Sequence, residues 1–75
     1  MILSPPELEL IIILQEKRIY PRNKEDLLKH IRQLDEQEVY SDRISKKVAN
    51  PIFSIEEYYN SLSDASIELI IKTII

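Results

Sequence analysis

The apolar residues of this chain recur at helical spacing, and each run of them follows a short polar residue. The clearest run is the C-terminal stripe of isoleucines at positions i, i+3, i+4 and i+7, which are Ile67, Ile70, Ile71 and Ile74. A period of about 3.6 residues predicts an amphipathic helix with one apolar face.

Five segments carry the start signal of a helix, a Ser, Asn or Asp whose side chain can cap amides of the first turn. These residues are Ser4, Asn23, Asp35, Ser54 and Ser63. The helices predicted from them lie near 5–18, 24–34, 36–49, 55–61 and 64–74. Asn50-Pro51 is predicted to end the third helix, because a residue before proline avoids the α region. The expected fold is therefore all-α, a single domain over 1–75 built as a small bundle of about five short helices.

Residues 24–49 could instead form one long helix, but their apolar positions argue against it. Counted at about 100° per residue, the apolar residues before Asp35 point almost opposite to those after it. A break at Asp35 lets both stripes face one core. Two helices are therefore predicted, with Leu34 and Val39 packed across the break as a hydrophobic staple.

The first predicted helix is apolar on two sides. One side carries Leu8, Ile11 and Ile12, and the other carries Leu10, Ile13 and Leu14. A helix that is apolar over so much of its circumference is either surrounded by its neighbours or shared with a partner. The rival structure is a β-strand over 9–15, given the isoleucines there. The entry Ser4-Pro5, with Glu7 at the third helical position, favours the helix.

Composition narrows the classes of function. The 75 residues include no cysteine, which excludes disulfides and thiolate metal sites, and no glycine. Without glycine the chain lacks the P-loop and the dinucleotide-binding motif, and positive-φ turns and glycine-capped helix ends are disfavoured. A net charge of −3 with 44% hydrophobic residues is typical of a folded globular domain. Neither a signal peptide nor an apolar run of membrane-spanning length is found, so a cytoplasmic location is expected.

Candidate catalytic groups are few. His30 follows Asp26 by four residues on one helical turn, which an ordinary i, i+4 surface pair explains. The clustered carboxylates fall in the first turns of predicted helices, where they complement the helix dipole. We therefore expect no enzyme activity, no cofactor, no metal site and no small-molecule substrate.

The supply of apolar side chains indicates a protein-binding or self-associating helical module, an adaptor or regulator that acts through helix packing, with a homodimer as one form. The interface residues predicted for it are Leu10, Ile13, Leu14, Ile74 and Ile75. The alternative is a monomer in which the first helix is simply central. The sequence does not decide which side of that helix is core and which is interface.

Two basic clusters support a different hypothesis, a small nucleic-acid-binding regulator of the helix-turn-helix kind. The first cluster is Arg18, Arg22, Lys24, Lys29 and Arg32, and the second is Arg43, Lys46 and Lys47. The helix that would read bases opens with acidic residues, Asp35, Glu36 and Glu38, and the sequence pI is about 5.1. Nucleic-acid binding is therefore the disfavoured alternative.

Overall fold

The computed structural model describes residues 3–49 and 54–75, and within these ranges the chain forms five α-helices and no strand. The helices are α1 (Pro5–Glu16), α2 (Lys24–Asp35), α3 (Glu38–Ser45), α4 (Ile55–Asn60) and α5 (Asp64–Ile74). Helices make up 71% of the described residues, which confirms the predicted all-α class. The predicted helix stop at Asn50-Pro51 lies outside the described residues.

Four of the predicted caps begin helices in the structure, namely Ser4, Asn23, Ser54 and Ser63. At the last three, the side-chain oxygen accepts a hydrogen bond from the amide three residues further on, at 2.9, 3.1 and 3.2 Å. At Ser4 the reciprocal bond is formed, since the Glu7 carboxylate accepts from the Ser4 backbone N–H at 2.9 Å. Each bond satisfies an amide that helix geometry leaves without a partner, which explains why these boundaries follow from local sequence.

Asp35, the fifth predicted cap, does not begin α3, and that prediction is wrong. Asp35 is the last residue of α2, and α3 starts at Glu38 behind Gln37. The Asp35 carboxylate instead accepts from the backbone N–H of Ile55, at 3.4 Å, which is the first residue of α4. The predicted break between two helices within 24–49 is confirmed, but Asp35 binds the first amide of α4 instead of capping α3.

The predicted hydrophobic staple between Leu34 and Val39 is also wrong. Leu34 is buried, whereas the Val39 side chain is 61% exposed. Because Gln37 rather than Asp35 precedes the helix, Val39 is the second residue of α3 instead of the fourth, which is the position that a staple requires. Ile44 is the buried residue of α3, and Tyr40 is partly buried against the core.

The end of α1 is a left-handed turn made without glycine. Arg18 has a φ of 57°. The Ile19 N–H donates to the Leu14 carbonyl at 2.9 Å, and the Arg18 N–H donates to the Gln15 carbonyl at 3.1 Å. These two bonds form a Schellman motif, whose left-handed position is usually glycine. The sequence predicted such turns to be disfavoured; here Ile19 packs against the core and holds arginine in the strained conformation.

All five helices contribute to one hydrophobic core. Its buried members are Leu10, Ile11, Ile13, Leu14, Leu27, Ile31, Leu34, Ile44, Ile55, Tyr59, Ile67, Ile70 and Ile74. Helix α1 packs against α3 and α5, and α2 packs against α3, α4 and α5. Leu8 and Ile12 of α1 remain 45% exposed, so this helix is not covered on all sides.

The one buried tyrosine links α4 to the start of α1. The Tyr59 hydroxyl donates to the Pro6 carbonyl at 2.6 Å. Its ring lies edge-on to that of Tyr58, with centroids 5.1 Å apart. Burial raises the pKa of Tyr59 far above the usual range of a phenol. The hydroxyl is therefore a fixed hydrogen-bond donor in the core.

Candidate protein interaction surface

The outer face of α1 exposes two aliphatic side chains, which we call the α1 strip, Leu8 and Ile12. Each is 45% exposed. Together with Gln15 they span about 60° of the helix circumference at 100° per residue. The Gln15 side chain donates to the Ile74 carbonyl at 3.4 Å, so the strip runs towards the C-terminal end of α5.

A second exposed apolar region lies at that end of α5. The residues that line it, which we call the α5 groove, are Tyr20, Pro21, Arg22, Ile71, Ile74 and Ile75. The groove is open to solvent and encloses about 640 Å³. Tyr20 and Ile75 are exposed at 54% and 86%, whereas Pro21 and Ile74 are buried beneath them. The groove is thus an apolar concavity with exposed aliphatic and aromatic walls.

The structure places most of the predicted interface residues inside the chain. Leu10, Ile13 and Leu14 are fully buried, and Ile74 is nearly so. Side chains without exposed area cannot contact a partner unless the domain opens. Of the five predicted interface residues, Ile75 is the one whose side chain is exposed, and it lines the α5 groove.

Exposed apolar surface on α1 comes from the side of the helix that the sequence left undecided between core and interface. Leu8 and Ile12 belong to the other apolar side of the first helix, and Ile11 on that same side is buried. The signal that separates them is angular, since Ile11 lies about 100° before Ile12 and closer to the core-facing arc. Tyr20 lies between α1 and α2, outside every helical stripe, so the periodicity of the sequence gives no signal for it.

Along its α3-facing side, the α1 strip is bordered by an ion-pair cluster. The Arg43 guanidinium donates to the Glu9 carboxylate at 2.9 Å and lies 3.5 Å from the Glu16 carboxylate. The hydrogen bond to Glu9, followed by that to Glu16, raises the pKa of Arg43 above its usual value. Nearby, the Lys17 ammonium lies 4.9 Å from the centre of the Tyr40 ring. These contacts hold α3 against α1 and are occupied within the chain.

The eight basic residues considered for nucleic-acid contact fall into two groups. Three of them form ion pairs: Lys24 with Asp64 at 3.6 Å, Arg32 with Glu56 at 2.8 Å, and Arg43 as above. The other five, which are also exposed, lie on separate segments, with Arg18 after α1, Arg22 before α2, Lys29 within α2, and Lys46 and Lys47 after α3.

His30 lies beside Asp26, as the i, i+4 spacing predicted. The His30 Nε2 and Asp26 Oδ1 atoms are 3.6 Å apart. Asp26 also accepts from the backbone N–H of Arg22 at 3.2 Å, so its carboxylate is engaged at the start of α2. In the part of the chain that the structure describes, no group of three or more His, Cys, Asp or Glu residues is placed to hold a metal ion.

Comparison with known proteins identified no relative of this chain. No protein family, no curated protein and no solved structure matches the chain. Within 3–49 and 54–75, every helix is too short or too polar to cross a membrane. The feature that bears on function is therefore the surface itself, an apolar strip and an apolar groove on a small all-α domain.

Proposed function

We propose that this domain is a non-enzymatic protein-binding module, an adaptor or regulator that acts through helix packing, either with another protein or with a second copy of itself. The observation that carries the proposal is the exposed apolar surface made by the α1 strip and the α5 groove. Four of the large hydrophobic side chains that the described residues expose belong to it, namely Leu8, Ile12, Tyr20 and Ile75. Exposed apolar side chains grouped in patches are typical of partner-binding sites, whereas single exposed hydrophobic residues are ordinary.

The composition of this surface also supports the proposal. Tyrosine and arginine are enriched among residues that dominate protein interfaces, and the α5 groove contains Tyr20 and Arg22. Its aliphatic walls supply area that gains free energy when it is removed from water, at about 25 cal/mol per Å². The residues that support this surface are held in place by the core, so a partner meets a preformed shape.

The proposal is tested with two surface variants, Ile12→Glu in the strip and Ile75→Glu in the groove. Sedimentation velocity over micromolar concentrations measures self-association, and affinity capture from a lysate of the native host measures binding to other proteins. We expect the wild-type domain to dimerise or to retain a partner. At least one of the two variants should lose that interaction while its helical circular dichroism spectrum is unchanged.

The matched control is Lys47→Glu, an exposed charge reversal outside both regions, which should behave as the wild type. The proposal is wrong if the wild-type domain is monomeric throughout and the proteins it retains are the same for all three variants.

Nucleic-acid binding is the second candidate function, supported by the five exposed basic residues named above. Retention on heparin and on DNA at increasing salt separates the two classes, because phosphate contacts weaken steeply with salt and apolar contacts do not. Elution below physiological salt, unchanged in Lys29→Gln and Lys46→Gln, would remove this candidate.

A further inference from the structure

We infer that α3 is a lid, held on α1 by Arg43, that opens while the other four helices remain packed. The closed lid covers an apolar stripe of α1, and charged side chains hold it there. The ionic strength therefore controls how much apolar surface the domain exposes. This conformational device goes beyond the proposed function, since it does not depend on what binds the α1 strip.

Few apolar contacts anchor α3 to the rest of the domain. Among the described residues, Ile44 is the one member of the buried core that α3 supplies, and every other member belongs to the other four helices. Tyr40 packs against the core but is only partly buried. Helix α5, by contrast, buries three isoleucines. A helix that buries so little apolar surface gains little stability from packing, which is the property of segments that open locally.

The first turn of α3 also lacks a bond that the other helices have. Side-chain hydrogen bonds close the first turns of α1, α2, α4 and α5, whereas the Gln37 side chain caps no amide of α3. Helix α3 has eight residues, a length that is not stable in isolation. It therefore depends on the contacts that it makes with its neighbours.

Charged side chains hold α3 on α1. The Arg43 guanidinium donates to the Glu9 carboxylate at 2.9 Å and lies 3.5 Å from the Glu16 carboxylate, and we call these three residues the latch. The side chains of Arg43 and Glu16 are 34% and 56% exposed. Ion pairs with this much contact with solvent each contribute little to stability, and salt weakens them. The latch is therefore weak enough to open and is sensitive to ionic strength.

The lid lies over the stripe of α1 that contains Ile13. Glu9, Ile13 and Glu16 fall within about 60° of the helix circumference at 100° per residue. Because Arg43 contacts both carboxylates, α3 crosses α1 above the residue between them. Ile13 has no exposed surface, and Ile44, next to Arg43 in α3, is fully buried as well. Opening the lid would therefore uncover Ile13, one of the residues that the sequence predicted for an interface.

The other four helices are connected without α3. Helix α1 packs against α5, and α2 packs against both α4 and α5. The bond from the Tyr59 hydroxyl to the Pro6 carbonyl joins α4 to α1. The chain enters α3 from α2 through Glu36 and Gln37 and continues to α4 through residues 46–54. The lid can therefore leave its place while the contacts among the other helices persist.

Native-state hydrogen exchange followed by NMR tests the lid, because it reports the opening of each helix separately. The amides of α3 should be protected at least about a hundredfold less than those of α5. Opening the lid uncovers one buried core residue, whereas exchange in α5 requires the whole core to open. Low concentrations of urea should accelerate exchange in α5 but hardly in α3, since the lid exposes little surface when it opens.

Arg43→Gln removes the latch, which stabilises the closed domain relative to both the open and the unfolded states. It should accelerate exchange in α3 and α5 by the same factor, about two- to fivefold. Glu16→Gln, a change at an exposed side chain, should act in the same direction. Raising NaCl from about 0.05 to about 1 M should also accelerate exchange in α3 of the wild-type domain, through screening of the latch.

The matched control is Arg32→Gln, which breaks an ion pair of similar length, 2.8 Å, between α2 and α4. This pair is present whether the lid is open or closed, so exchange in α3 should be unchanged. Ile70→Val weakens the core outside the lid. It should accelerate exchange in α5 about two- to tenfold and leave α3 unchanged.

Three outcomes would overturn the inference. Equal protection of α3 and α5, or acceleration of both by Ile70→Val, would mean that α3 opens only when the whole domain unfolds. Acceleration of α3 by Arg32→Gln as large as that by Arg43→Gln would mean that the latch does not control the opening. Amides of α3 without any protection would mean that the lid is not closed in solution. The capture and sedimentation experiment above tests the proposed function independently of these results.

Discussion

The two sides of α1 carry the same kinds of residue but differ in how far their side chains are buried. Leu10, Ile13 and Leu14 are fully buried among α3, α5 and the rest of the core, whereas Leu8 and Ile12 on the outer face are 45% exposed. Residue type alone does not separate the two sides. The difference arises from the neighbouring helices, which cover one arc of α1 and leave the other free. An apolar face that is not covered is therefore a property of the assembled domain, and it is the basis of the proposed function.

The largest expected effect comes from placing a charge on each side of α1. Ile13→Glu puts an unpaired carboxylate into the core and should destabilise the domain by more than about 4 kcal/mol, enough to unfold a chain of this size. Ile12→Glu on the outer face should change the free energy of unfolding by less than about 1 kcal/mol. Urea denaturation followed by circular dichroism compares the two variants. If both variants unfold, the outer face is also part of the core.

The hydrogen bond from the Tyr59 hydroxyl to the Pro6 carbonyl tests the buried side of α1 further. Tyr59→Phe removes the hydroxyl that binds the Pro6 carbonyl and should cost about 1–2 kcal/mol of stability. The pKa of Tyr59 is raised on folding, so this residue stabilises the folded state below its unfolded pKa of about 10 and loses that contribution as the pH rises.

Denaturation at pH 8 and pH 11 measures that dependence. The wild-type domain should lose more stability than Tyr59→Phe between the two values. Tyr20→Phe, which changes an exposed tyrosine, is the control and should follow the wild type. Equal losses in all three proteins would mean that the Tyr59 hydroxyl is not held by the fold.

The junction between α2 and α3 gives the next effect. Asp35→Ala removes the acceptor of the Ile55 N–H and should destabilise the domain by about 0.5–2 kcal/mol, as loss of an amide-capping side chain does. Asp42→Ala on the exposed part of α3 should be neutral or slightly stabilising, since alanine has the higher helix propensity. Thermal melts of the two variants provide the measurement. A neutral Asp35→Ala would show that the contact with α4 contributes nothing.

The smallest expected effect is a gain in stability at the exposed end of α1. Arg18→Gly relieves a left-handed residue and should stabilise the domain by up to about 1 kcal/mol, reduced by the entropy that glycine adds to the unfolded chain. Lys17→Gly, one residue earlier in a right-handed conformation, should instead destabilise it. Denaturant midpoints decide the sign. If both variants are destabilised, the side chain of Arg18 contributes more than its backbone strain costs.

Much of the fold follows from local sequence. Ser4, Asn23, Ser54 and Ser63 begin helices because capping is a bond between residues three apart, which the sequence places in range wherever the chain turns helical. The candidate interaction surface could be predicted from local sequence only in part. Ile75 was among the predicted interface residues, whereas the exposure of Leu8, Ile12 and Tyr20 depends on which helices, distant in sequence, pack against one another.

The amino-acid sequence by itself determined that this protein is helical, where most of its helices begin, and that α1 has more apolar surface than a single buried face needs. Only the tertiary structure decided which arc of α1 is covered, that Asp35 binds the first amide of α4 instead of capping α3, and that Arg18 takes a left-handed conformation. The physical reason is the range of the interactions. Caps and periodicity act over three or four residues, whereas burial depends on which helices meet, and that is settled by the packing of the whole core.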